Sequence, residues 1–152
     1  NDELHIVDGF SSVSKFNNGK KEGKPEATFN LSKVFKGKLE KATRKFVKDS
    51  PRSVIVQDNI ILNDSTKNLT WQMITTADVE VVKGGAILRQ DGKMLKLENL
   101  SHPELTVSVV SLYPAPLKLD RQVEGLKRIE IRIPAWTFKN ENGEIKVRLS
   151  GE

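Results

Sequence analysis

The chain of 152 residues predicts an all-β fold, a two-layer antiparallel β-sandwich of about ten short strands. Three observations carry that expectation. Apolar residues alternate with polar ones at a period of two, as where Leu69, Trp71 and Met73 fall on one side of a strand and Thr70 and Gln72 on the other. Turn-forming clusters of Asn, Asp, Gly, Ser and Pro recur between these runs at short intervals. And helical spacing appears only between Ser32 and Lys41, at Val34, Phe35 and Leu39, where Gly37 interrupts it, so one helical turn or a loop crossing is all that segment supports.

Taken in order, Leu4 to Val7 reads as a short strand ended by Asp8-Gly9, and Asn17 to Gly23 as an exposed turn. Ala27 to Leu31 begins the sheet proper. The stretch from Ala42 to Val82 organises the rest, because successive β-patterned runs follow one another there with only tight turns between them. The clusters Asp49-Ser50-Pro51 and Asn63 to Asn68 each predict a hairpin. Val54-Ile55-Val56 and Ile60-Ile61-Leu62 are apolar without interruption, which predicts a strand covered on both faces or nearly so.

Asp78 to Val82, Ala86 to Arg89 and Met94 to Leu97 form a meander, with a turn at Gly84-Gly85 and a type I′ turn at Asp91-Gly92. Leu105 to Leu112 alternates before Tyr113-Pro114-Ala115-Pro116 breaks it. Ile129, Ile131 and Ile133 share one face, with Arg128, Glu130 and Arg132 opposite, and Pro134 stops that strand. Asn142-Gly143 is a second hairpin signal, before the final strand from Ile145 to Leu149. A closed barrel is the alternative arrangement of the same strands.

Length fits one domain over residues 1–152, able to bury roughly two-thirds of its unfolded surface without metal or disulfide. The absence of cysteine removes disulfides, thiolate zinc sites and cysteine nucleophiles together. No apolar run is long enough to cross a bilayer as a helix, so no membrane partner is expected. The chain starts without Met and enters at once on a β-like segment, which reads as a piece of a longer polypeptide.

The net charge of +5 is concentrated between Lys15 and Arg52, where twelve cationic residues stand against Glu22, Glu26, Glu40 and Asp49. Such a third either steers a polyanion or is a solvated lysine-rich face. Nucleic acid is disfavoured as the polyanion, because no exposed aromatics are interleaved with the cations.

Catalytic chemistry is not legible. His5 and His102 are the only histidines, and neither has a second ligand-type residue at metal-binding spacing, so each reads as a surface histidine. No nucleophile elbow, P-loop or dinucleotide fingerprint occurs. Asp49, Asp58, Asp64 and Asp78 fall at or near predicted turns, where such residues cap the backbone. Trp71 shares its face with Leu69 and Met73 and is assigned to the core. Trp136, after Pro134 in a less regular segment, is the better sugar platform of the two tryptophans, although burial is the favoured expectation for it too. The triplets at Asn30, Asn63, Asn68 and Asn99 matter as glycosylation acceptors only in a secreted eukaryotic protein.

Several short motifs resemble the C-terminal β-domain of the heparinase II/III-like polysaccharide lyases of Bacteroidetes. Asn30 to Phe35 (NLSKVF) stands where that family tends to have D-L-S-x-A-Y, Arg44 to Val47 (RKFV) where it has R-x-[FV], and Val54 to Asn59 (VIVQDN) where it has V-V-x-D-x. Trp71 and Thr75-Thr76 resemble the following W-x-x-x-T strand, and Ile6 to Gly9 an I-D-G turn. Phe35 departs from the family's tyrosine, and the histidine expected just ahead of the I-D-G turn has no counterpart at the matching spacing.

What the resemblance implies is a parent enzyme, periplasmic or extracellular, that cleaves a uronic-acid polysaccharide by β-elimination. Its tyrosine acid comes from an upstream helical toroid that precedes Asn1, so no catalytic residue, metal ligand or cofactor is assigned to this chain. The domain then supports the toroid and closes one side of the cleft. Its basic third would meet the acidic polysaccharide, with Arg44, Lys45, Lys48, Arg52 and Trp136 as the candidate glycan-binding residues. A free-standing carbohydrate-binding or adhesion module is the competing expectation, distinguished by an exposed Trp136 or Tyr113.

Overall fold

The computed structural model describes residues 13–17, 23–115, 117, 120–138 and 142–152. The predicted Leu4 to Val7 strand, His5, the I-D-G resemblance and most of the Asn17 to Gly23 turn lie outside them.

Eleven strands form among the described residues: β1 (Val13–Asn17), β2 (Glu26–Asn30), β3 (Leu39–Ser50), β4 (Ser53–Leu62), β5 (Asn68–Thr75), β6 (Asp78–Val82), β7 (Gly85–Gln90), β8 (Lys93–Asn99), β9 (Val107–Ser111), β10 (Lys127–Pro134) and β11 (Asn142–Gly151). They make two antiparallel sheets, one of eight strands in the order β1-β2-β3-β4-β11-β8-β7-β6 and one of three in the order β5-β10-β9. The fold is the predicted all-β sandwich.

Alternation decides which side chains meet between the layers. From the large sheet come Ile60, Leu62, Ala86, Leu88, Leu97, Ile145 and Val147, and from the small one Trp71, Val107, Ile129, Ile131 and Ile133, all buried in one apolar cluster. The three isoleucines of β10 are fully hidden from solvent. Burying a side chain of that size contributes about 1.5–3 kcal/mol, so the central strand of the small sheet anchors the two layers together.

Local turn chemistry is met where strands are neighbours in both sequence and space. The hairpin from β7 to β8 turns on Asp91 and Gly92, whose φ angles of 51° and 71° are the two positive values that a type I′ turn demands. The β3–β4 hairpin forms around Pro51 and Arg52, with a register shift between Lys48 and Ser50. The segment between β2 and β3 makes short helical turns, with Leu39 N–H donating to Phe35 at 3.0 Å and Gly37 at φ +81°.

Two predicted hairpins are not hairpins. The Asn63 to Asn68 cluster carries the chain out of the large sheet into the small one, so β5 pairs with β10 rather than with β4. Asn63 Nδ2 donates to Gly37 O and Thr66 Oγ1 to Lys38 O, which fastens this crossing to the start of β3. Asn142-Gly143 likewise does not turn the chain back. It opens β11, which pairs with β4 on one side and β8 on the other. Glycine is required there by close approach: a Cβ on Gly143 would lie 2.8 Å from Ile60 Cγ1 and from Phe138 Cδ1.

The strand β4 is also less enclosed than its composition predicts. Val56, Asp58, Ile60 and Leu62 are buried, whereas Ile55, Gln57 and Ile61 are half-buried and Asn59 is exposed. The outer face of the large sheet has no second layer among the described residues, so β4 is covered on one side only.

Candidate functional site

The five candidate glycan-binding residues are placed by β3, by the turn that follows it and by the end of β10. Alternation along β3 sends Arg44 and Lys48 to the inner side and Lys45 to the outer one. Arg44 is cross-strand from Asp58 and grips its carboxylate twice, Nε to Oδ1 at 2.6 Å and Nη2 to Oδ2 at 2.7 Å. Lys45 pairs with Glu26 at 2.6 Å on the opposite side. Lys48 and Arg52 are exposed near the hairpin tip. Trp136 belongs to the 3₁₀ turn Ala135–Thr137, which follows β10 of the other sheet. The structure therefore does not bring these residues to one surface.

Three cations of the basic third are ion-paired among the described residues. Besides the Arg44–Asp58 and Lys45–Glu26 pairs, Lys24 is hydrogen-bonded to Asp49, whose other oxygen lies 3.5 Å from Arg148. The hydrogen bond from Lys24 holds the Asp49 carboxyl below the usual carboxylate value; partial burial opposes this, and the charges of Lys24 and Arg148 add to the lowering. Beyond it on the large sheet's outer side, Lys96 pairs with Glu98, Arg89 with Glu80 and Lys146 with Glu144.

Three residues sit otherwise than predicted. Trp136 is 83% exposed, against the expectation of burial, because the chain leaves the sheet at Pro134 and the 3₁₀ turn lifts the indole clear of the core. His102 is not a surface histidine: its ring meets Phe138 edge to face at 5.4 Å, and its buried Nε2 has no hydrogen-bond partner among the described residues. Asp58, expected at a turn, lies in the middle of β4. Trp71 is in the core as predicted, at 4% exposure.

Among the described residues, no three His, Asp or Glu side chains are grouped closely enough to hold a metal ion. The open groove lined by Asn30, Ser32, Glu40, Lys41, Asn63 and Asp64 has its amides committed to the fold. Asn30 Oδ1 accepts from Ser32 N, and Asn63 Oδ1 from Ser65 N and Oγ.

A charged constellation that the sequence shows only as one face of a strand is on β10. Arg128 Nε donates to Glu130 Oε1 at 2.6 Å and Arg132 Nε to Glu130 Oε2 at 3.0 Å. All three side chains point away from the core, opposite Ile129, Ile131 and Ile133, yet Glu130 is only 1% exposed. The sequence shows the alternation but not that burial, which depends on the neighbouring strands.

With the geometry in view, the fold defines an antiparallel β-sandwich with charged outer faces. In fold the chain is similar to a particular enzyme, a heparan sulfate lyase HepC mutant from Pedobacter heparinus: the TM-score is 0.58 at 13% sequence identity, over 91% of this chain. The chain spans 21% of the length of that lyase. No protein-family model and no curated protein sequence matches it.

Proposed function

We propose that this chain is the supporting, non-catalytic β-sandwich of a heparinase II/III-like polysaccharide lyase, exported to the periplasm or beyond, that acts on an acidic polysaccharide by β-elimination. The observation that carries this reading is the likeness in fold to a heparan sulfate lyase over nearly the whole of this chain and about a fifth of that one. The short motifs over Thr28 to Val82 point the same way, and two of them meet physically, since Arg44 of one binds Asp58 of another.

In β-elimination a base removes the proton at C5 of the uronate and the 4-linked sugar departs, leaving an unsaturated uronate. Those groups belong to the upstream toroid in this reading. The sandwich contributes a rigid wall against which the toroid packs, and its surface cations raise the local concentration of the anionic chain.

The test is production of unsaturated uronate by the full-length protein on heparin, heparan sulfate, hyaluronan and alginate, against a neutral glycan. Cleavage of an acidic glycan supports the proposal, and no product from any of them overturns it. A second reading, a free-standing carbohydrate-binding module, is favoured by one observation: Trp136 and Tyr113 are 83% and 48% exposed. Binding of a neutral glycan by this chain alone, unaffected by salt, would favour the second reading over the first.

A further inference from the structure

The outer face of the three-stranded sheet carries a feature that its stability does not require. On a solvent-facing strand surface, Thr or Val would satisfy β10 at no electrostatic cost. Instead the strand holds a hidden carboxylate between two guanidiniums. Burying an ionised glutamate costs several kcal/mol before compensation, and charged arrays of this kind are often no more stabilising than apolar residues of the same volume. What the array does supply is orientation. Glu130 takes one Nε from each arginine, on its two separate oxygens, and fixes both side chains.

Neither guanidinium uses its Nη groups within the described residues, and Arg132 keeps 68% of its side chain in solvent. Three charges sum to +1, so the array favours an anion. The strands on either side present Gln72 and Ser108 level with Glu130, both exposed and able to donate further hydrogen bonds. Two residues beyond the end of β10 stands Trp136, with its indole open to solvent. Guanidiniums fixed for carboxylate or sulfate, followed by an aromatic face for a sugar ring, are the two chemistries an acidic glycan needs.

We infer that the outward face of β10 is an anion-binding subsite for an acidic polysaccharide, with Arg128 and Arg132 contacting a carboxylate or sulfate, Glu130 positioning them, and Trp136 stacking on a neighbouring sugar. The inference deepens the lyase reading above and rests on its acidic glycan. It moves the contact surface from the basic third on β3 to the opposite layer of the sandwich.

The experiment is titration calorimetry of this chain with size-defined heparin and hyaluronan oligosaccharides and with a neutral dextran, for the wild type and three variants. Arg132→Gln, which removes one of the two charges that compensate Glu130 but leaves an amide able to donate to it and keeps the Arg128 pair, is expected to weaken binding of an acidic oligosaccharide about tenfold. Trp136→Ala weakens it to a similar degree. Glu130→Gln separates positioning from charge: it makes the face more positive, so a diffuse electrostatic surface would bind more tightly, whereas loss of the fixed arginine geometry weakens binding.

Arg132→Gln within twofold of wild type overturns the subsite, as does a wild-type chain that binds neither acidic oligosaccharide. The lyase reading has its own readout in unsaturated uronate from the full-length protein. Cleavage there, together with an indifferent Arg132→Gln, sinks the subsite alone.

Discussion

Arg44 and Asp58 face one another across β3 and β4 and join as a two-pronged ion pair, at 2.6 and 2.7 Å, on the inner side of the large sheet. Asp58 is 7% exposed, with Val56 and Ile60 before and after it on the same side of the strand. A carboxylate so placed depends on its guanidinium, because unpaired it would lose its hydration with nothing in exchange. Arg44 thus serves the fold through both prongs of this pair.

Replacing Arg44 by Ala leaves that carboxylate without its partner. The expected loss is about 2 kcal/mol of unfolding free energy, below the roughly 3–5 kcal/mol of a fully buried pair because the Arg44 side chain is 31% exposed. Exchanging both residues for Met and Leu should recover most of it. Urea unfolding of the three variants checks this, and an Arg44→Ala protein as stable as wild type would contradict it.

Gly143→Ala tests the correction at the start of β11. The added methyl meets Ile60 and Phe138 at 2.8 Å, so one of them must shift, at an expected cost of about 1–3 kcal/mol. A hairpin turn at this position would respond differently, since Ala there would strain φ and leave the packing of Ile60 alone. Thermal unfolding of Gly143→Ala beside Gly143→Ala/Ile60→Val distinguishes them: partial rescue in the double variant is the expected outcome.

The tryptophans differ enough to be read separately. Trp71 is 4% exposed and Trp136 83%. Acrylamide should quench about half of the emission, with the accessible component at the red edge, and Trp136→Phe should abolish it while leaving the melting temperature unchanged within about 2 °C, as for surface substitutions generally.

The Lys24–Asp49 contact makes the acid limb of stability predictable in sign. The folded carboxyl titrates below its unfolded value of about 3.9, so its contribution is present above that pH and is lost as pH falls through the folded value. Lys24→Ala should move the Asp49 titration, followed by carboxyl NMR, back toward the ordinary value and flatten stability below about pH 4. An unmoved titration in Lys24→Ala would place the cause elsewhere.

What was legible in the sequence was whatever neighbours along the chain decide. Alternation placed Ile129, Ile131 and Ile133 inside, and all three are fully buried. Asp91-Gly92 announced its turn because the two φ angles belong to those residues alone. The meander of β6, β7 and β8 followed, since short turns make sequential strands pair.

Tertiary structure decided the partners. Val147 of β11 lies between Val56 and Asn99, residues far away in the chain, and nothing local in Asn142-Gly143 says that the strand it opens will enter the middle of a sheet. The same holds for the site. Arg128, Glu130 and Arg132 read as an ordinary solvent face until β5 and β9 flank them, and only then is Glu130 hidden and the two arginines fixed on it. Side-chain direction is a property of the strand, whereas burial and ion pairing arise from surfaces that distant segments bring together. For that reason the sequence alone was enough to specify a sandwich, while the placement of its charges waited on the packed sheets.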